Sequence, residues 1–82
     1  MTNQTPKITV YSSPDCAHCY TAKDYLKAKG FEYEEVDILF DDEGRKKMEE
    51  ISGQQNVPVI VINNETVLTG WNKQKLNEAL GI

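Results

Sequence analysis

Two cysteines three positions apart, in Cys16-Ala17-His18-Cys19, constrain this chain more than any other feature. They directly follow Ile8-Thr9-Val10-Tyr11, a β-branched and aromatic run, and the turn-formers Ser12-Ser13-Pro14-Asp15. They also open a stretch in which Cys19, Ala22 and Leu26 recur at helical spacing. The fold must therefore feed a strand into a helix with a thiol at the helix entrance. Unpaired backbone N–H groups and the macrodipole favour negative charge there, and the thiolate is the reactive form of cysteine. A second thiol one turn on can attack a mixed disulfide formed on the first. Thiol–disulfide exchange is the chemistry this pattern points to.

The remaining chain supplies a compact α/β order. Gly30 is placed to close the first helix in the left-handed conformation. Phe31 to Ile38 reads as a second strand, although alternation breaks at Glu34-Glu35 and leaves the register open. Asp41 or Asp42 caps a second helix that carries Met48 and Ile51 inward and stops at Gly53. Val57-Pro58-Val59-Ile60-Val61-Ile62 is the most hydrophobic run and reads as a central strand. Asn63-Asn64 suits a tight hairpin turn, Thr66-Val67-Leu68-Thr69 returns, and Asn72 caps a last helix bearing Leu76, Ala79 and Leu80. The order is β-α-β-α-β-β-α, with strands joined through a helix expected to be parallel and the hairpin antiparallel. The pattern predicts a four-stranded mixed sheet flanked by three helices. Residues 1–6 read as a flexible tail and residues 7–82 as one domain.

Bulk properties exclude several functions. With 82 residues, the chain is one domain, burying only about 60–65% of its unfolded surface. The net charge is −4, and seven of the 13 acids fall between Glu32 and Glu43 with no base among them. That excludes a nucleic-acid surface and leaves no basic stripe for anionic lipid. The acidic stretch reads as a solvated strand edge and loop. Two cysteines do not make a secreted disulfide scaffold, the polar start lacks a signal peptide's apolar core, and no apolar run spans a bilayer. A reducing cytoplasm is the expected location, with the chain acting as a monomer.

With its elements placed, the chain resembles the glutaredoxin branch of the thioredoxin superfamily over about residues 7 to 80. Three segments carry the likeness. Tyr11-Ser12-Ser13-Pro14-Asp15-Cys16-Ala17-His18-Cys19 is similar to the redox loop, Asn56-Val57-Pro58 to the segment whose proline is cis and faces the cysteines, and Thr69-Gly70-Trp71-Asn72-Lys73 to the glycine turn before the last helix. The resemblance implies a thioredoxin-like fold of glutaredoxin type and a dithiol disulfide oxidoreductase in which Cys16 attacks and Cys19 resolves. It implies substrate contacts from His18, Val57, Pro58, Gly70, Trp71 and Asn72.

Departures from the pattern concern the electron donor. Ser13 stands where glutathione-using members usually have a basic residue, His18 where they often have tyrosine, and Thr69-Gly70-Trp71-Asn72 where they have Gly-Gly and an acid. This is closer to the short glutaredoxin-like electron donors of ribonucleotide reductase, which take electrons from thioredoxin reductase. The partners implied are therefore protein disulfides, with thioredoxin reductase and NADPH or glutathione as donor. No bound cofactor is required. The competing reading is a [2Fe–2S] cluster held between two subunits by the first cysteine and glutathione.

Individual residues carry more than one reading. Ala17 and His18 occupy the two positions between the thiols, where they can tune them. As His⁺, His18 would stabilise the Cys16 thiolate; it is otherwise an exposed residue that tolerates the loop. Two cysteines and one histidine within four residues cannot wrap around one zinc, so no metal site is expected. Trp71, the only tryptophan, is read as partner-facing, or else as a packed lid. Tyr11 and Tyr20 are expected in the core; Lys23, one turn beyond Cys19, can add positive potential there, but a solvated lysine is the favoured reading.

Overall fold

The computed structural model describes residues 6–82. The tail expected over residues 1–6 lies, apart from Pro6, outside them. The elements are β1 (Ile8–Ser12), α1 (Ala17–Ala28), β2 (Glu34–Asp37), α2 (Asp42–Ser52), β3 (Val59–Ile62), β4 (Thr66–Thr69) and α3 (Lys73–Leu80). They form one four-stranded mixed sheet in the order β2-β1-β3-β4. Among the described residues, no helix is long and apolar enough to cross a membrane.

Local chemistry sets the boundaries. The Asp41 side chain caps α2 by accepting the Gly44 N–H at 2.8 Å, and Asn72 caps α3 by accepting that of Lys75 at 3.0 Å. Asn63 and Asn64 both take positive φ, 56° and 59°, as the two central residues of a tight hairpin require. β2 is shorter than the Phe31–Ile38 run suggests. The Phe31 N–H still serves the end of α1, donating to the Leu26 carbonyl at 2.9 Å, so pairing starts only at Glu34. Glu34 and Glu35 are both exposed because β2 is an edge strand.

The direction of β3 corrects one expectation. β1 and β2 are parallel, with Tyr11 beside Val36, but β3 runs antiparallel to β1, with Val59 opposite Tyr11. The segment between α2 and β3 brings the chain back to the end of the sheet where β2 finishes. The rule for helix-joined strands fails because β3 is not in the same register direction as β2 and does not neighbour it. This reversal has a functional consequence. The ends of β1, β2 and β4 and the start of β3 all meet at one edge of the molecule.

The two sheet faces are covered unequally. Ile8, Val10, Ile60 and Ile62 pack under Ala22 and Leu26 of α1 and Leu76 of α3, with Tyr25, Phe31, Tyr33, Leu68 and Trp71 around them. The opposite face holds Tyr11, Val59 and Val61 against Met48 of α2. Met48 is buried as expected, but Ile51 is 37% exposed. α2 presents only one narrow line of side chains to the sheet, and Ile51 falls beyond its edge.

Candidate active site

Cys16 is itself the cap of α1. Its backbone is extended, at φ −112° and ψ 108°, and its sulfur accepts the Cys19 N–H at 3.2 Å. A sulfur in that position meets the positive end of the helix dipole and one of the orphan N–H groups together. Ser13 steadies the approach by donating from its hydroxyl to Asp15 at 3.2 Å. Tyr20 adds a second brace, donating from its hydroxyl to the Pro14 carbonyl at 2.8 Å. Tyr20 was expected in the core and is instead 50% exposed. Its position on α1 lies off the Cys19–Ala22–Leu26 stripe, so its ring clamps the loop from outside.

The two thiols differ sharply in environment. Cys16 is half-buried and Cys19 is fully buried, and both are free. Cys19 Sγ donates to Cys16 Sγ at 2.6 Å. Burial pushes the Cys19 thiol up to about 12, its hydrogen bond to Cys16 and the charge there push the same way, and the Ser13 backbone and Lys23 oppose them. Cys19 therefore stays protonated at neutral pH and offers its proton to the neighbouring sulfur.

The β3 start completes the cluster. The Val57–Pro58 peptide bond is cis, and the Cys16 thiol faces the Val57 carbonyl oxygen at 3.8 Å. Pro58 is buried, and its carbonyl accepts the Gly70 N–H at 2.8 Å, which joins the glycine turn to the same edge. Gly70 takes φ 76°, a conformation that costs glycine nothing. The structure thus gathers Cys16, Cys19, Val57, Pro58 and Gly70. Ala17 and His18 are exposed on the first turn of α1. Trp71 is half-buried and packs edge-on against Tyr25 with ring centroids 5.5 Å apart. Asn72 is exposed and spends its side chain on the α3 cap.

One polar network escaped the sequence reading. Ser12 is the buried polar residue of β1, and its hydroxyl donates to Glu35 Oε2 at 3.0 Å. The same oxygen accepts from Lys23 Nζ at 2.6 Å, and the Lys23 side chain is only 12% exposed. Lys23 was expected to be solvated. Its spacing, one turn beyond Cys19, was the available signal, but the partner lies 12 residues further along on another strand.

The family model described as glutaredoxin matches residues 8–67 of the chain. The chain belongs to the glutaredoxin family. Thiol–disulfide oxidoreductase activity is general in that family, and the thioredoxin-like fold with three helices and a four-stranded mixed sheet is the one expected. A glutaredoxin-like 8.6 kDa protein of the rubredoxin operon in Clostridium pasteurianum is 34% identical, over 89% of this chain and 96% of its own. The solved thioredoxin-like protein BC3987 is 34% identical with a TM-score of 0.83, over 89% of this chain and 99% of that one. NrdH-redoxin from Escherichia coli superposes with a TM-score of 0.77 at 22% identity, over 88% of this chain and 92% of that one. That last likeness speaks for the fold alone.

Proposed function

We propose that this glutaredoxin reduces protein disulfides through a two-thiol relay. The Cys16 thiolate attacks one sulfur of the partner's disulfide, forming a Cys16–partner mixed disulfide and releasing the partner's other sulfur as a thiolate. Cys19 then attacks Cys16 Sγ, and the Cys16–Cys19 disulfide forms as the partner's second sulfur leaves. The proton lost by Cys19 ends on that departing sulfur. The partner gains two electrons, and the donor returns them to the Cys16–Cys19 pair.

The observation that carries this reading is the inequality of the thiols. One is only half-buried at a helix entrance; the other is fully buried 2.6 Å away and holds its proton at neutral pH. An attacking group must reach solvent, and a resolving group must stay shielded until the mixed disulfide exists. Val57 and Pro58 offer an extended partner segment a strand-like edge beside Cys16. As donor we favour thioredoxin reductase with NADPH over glutathione, because Ser13 and Asn72 put neutral groups where glutathione's charged ends are usually held. Catalysis needs no bound cofactor, and one monomer in the cytoplasm is sufficient.

The test is NADPH oxidation coupled to insulin reduction, with thioredoxin reductase in one arm and glutathione plus glutathione reductase in the other. Turnover is expected in the first arm. Cys16→Ser should lower it by at least ~100-fold, since no other thiolate reaches solvent. Cys19→Ser should accumulate the mixed disulfide, visible by mass. Turnover confined to the glutathione arm refutes the donor assignment; full turnover of Cys16→Ser refutes the relay.

A further inference from the structure

The most exposed large apolar side chains among the described residues are adjacent. Phe40 is 80% exposed and Leu39 is 62% exposed. They form the tip of the turn between β2 and α2, and the ladder fixes where that tip stands. Asp37 lies beside Ser12 in parallel register, and the Ile38 N–H donates to the Ser12 carbonyl at 2.9 Å. Neighbouring strands run about 4.8 Å apart. The turn bearing Leu39 and Phe40 therefore leaves the sheet at the same end as Ser12, from which Ser13, Pro14 and Asp15 lead to Cys16.

The turn is held, which keeps the apolar tip outward. Asp37 accepts the Leu39 N–H on its carboxylate at 3.0 Å, and its carbonyl accepts the N–H groups of Phe40 at 3.2 Å and Asp41 at 3.0 Å. Acids flank the tip along the chain, Asp37 before it and the exposed Asp41, Asp42 and Glu43 after it. The ion pairs among the described residues are Lys23–Glu35 and Arg45–Glu49, so none of these acids is held in a direct ion pair. Anionic lipid is repelled by such a surface, and so is a second copy of this chain. A protein carrying apolar side chains flanked by Lys or Arg is complementary to it in polarity and sign.

We infer that the Leu39–Phe40 turn is a docking surface for protein disulfides whose flanking residues are apolar and basic. The inference rests on the relay proposed above. It makes the turn a determinant of which disulfides the enzyme reaches, with no part in the sulfur chemistry.

Three probes test it: disulfide-linked peptides carrying leucine and arginine, the same peptides with glutamate replacing arginine, and hydroxyethyl disulfide. The Leu39→Ser, Phe40→Ser double variant should raise KM for the arginine peptide about tenfold, within what burying an aromatic side chain supplies. Its turnover of hydroxyethyl disulfide should match the wild type. Raising the salt from about 0.02 M to about 0.3 M should raise the wild-type KM for the arginine peptide and leave that for hydroxyethyl disulfide unchanged. An unchanged KM in the variant overturns the docking surface while the relay stands, as does equal or better use of the glutamate peptide. An equal loss with hydroxyethyl disulfide overturns it too, and so does sedimentation showing that Phe40 pairs two copies. Hydroxyethyl disulfide turnover that survives Cys16→Ser removes the relay instead.

Discussion

The two faces of the sheet are built to different standards. Under α1 and α3 the apolar layer is continuous, from Ile8 and Val10 through Ile60 and Ile62 to Leu26 and Leu76. Under α2 the buried set is smaller, Tyr11, Val59 and Val61 against Met48, with the partly buried Val36, Ile38, Val57 and Val67 around them. Beside α2 an open cleft of about 600 Å³ remains, lined by Lys7, Thr9, Glu34, Lys47 and Ile51 among others. The helix that carries Cys16 and Cys19 belongs to the well-packed layer. Placing thiols to within a few tenths of an ångström needs a support that does not shift, and a filled core supplies it. The α2 layer carries less of that duty and tolerates a looser fit.

Cutting each layer once gives the largest contrast. Leu26→Ala removes a fully buried side chain from the α1 face and should cost about 2–5 kcal/mol. Ile51→Ala, at the open margin of α2, should stay within about 0.5 kcal/mol. Urea unfolding of both variants measures the difference. Comparable losses would mean that the α2 margin is packed after all.

How far this architecture could be read from residues depends on how local each signal is. The strand-to-helix entry at Cys16, the Asn63-Asn64 turn and the Asn72 cap are written in neighbouring residues, and each lies where the sequence puts it. The direction of β3 is not local. Val57 to Ile62 reads the same whichever way it enters the sheet, and only pairing with Tyr11 decides it. Tyr20 and Lys23 failed for a related reason. Helical spacing says which side of α1 a residue occupies, but not that Pro14 or Glu35 waits there to receive a hydroxyl or an ammonium. The exposed Leu39 and Phe40 gave no signal, because apolar residues in a short turn resemble buried ones until the fold is known.

A smaller effect sharpens the comparison on the α2 side, where one position is tight. A Cβ on Gly44 would run into Cγ1 of Val36 and crowd the Asp41 carboxyl group that caps the helix. Valine on a strand cannot swing aside freely. Gly44→Ala should gain up to about 1 kcal/mol of helix propensity and lose more to overpacking, which costs about 1–3 kcal/mol. The net expectation is a loss of about 1 kcal/mol, read from the denaturation midpoint. A stabilised variant would show that α2 can drift away from β2, extending the looseness to the whole layer.

The smallest effect tests the polar tie between α1 and the edge of the sheet. The hydrogen bond from Lys23 holds the Glu35 carboxyl below its ordinary range, against some opposing burial and with help from Ser12. Burial pulls the Lys23 ammonium down, but the hydrogen bond to and charge of Glu35, with the charges of Tyr33 and Tyr20, reverse this and leave it raised. The signs give a window. Glu35 contributes stability above its unfolded value near 4.3 and loses it as pH falls through its lower folded value; Lys23 contributes below about 10.4 and loses it as pH rises through its higher folded value. Glu35 is 43% exposed, so solvent screening limits the pair to about 0.2–1 kcal/mol. Glu35→Gln should therefore lower stability by that amount at pH 7 and by progressively less as pH falls through the folded value of the wild-type carboxylate. A deficit that persists undiminished in acid would assign the tie to side-chain packing and leave charge no part in joining α1 to β2.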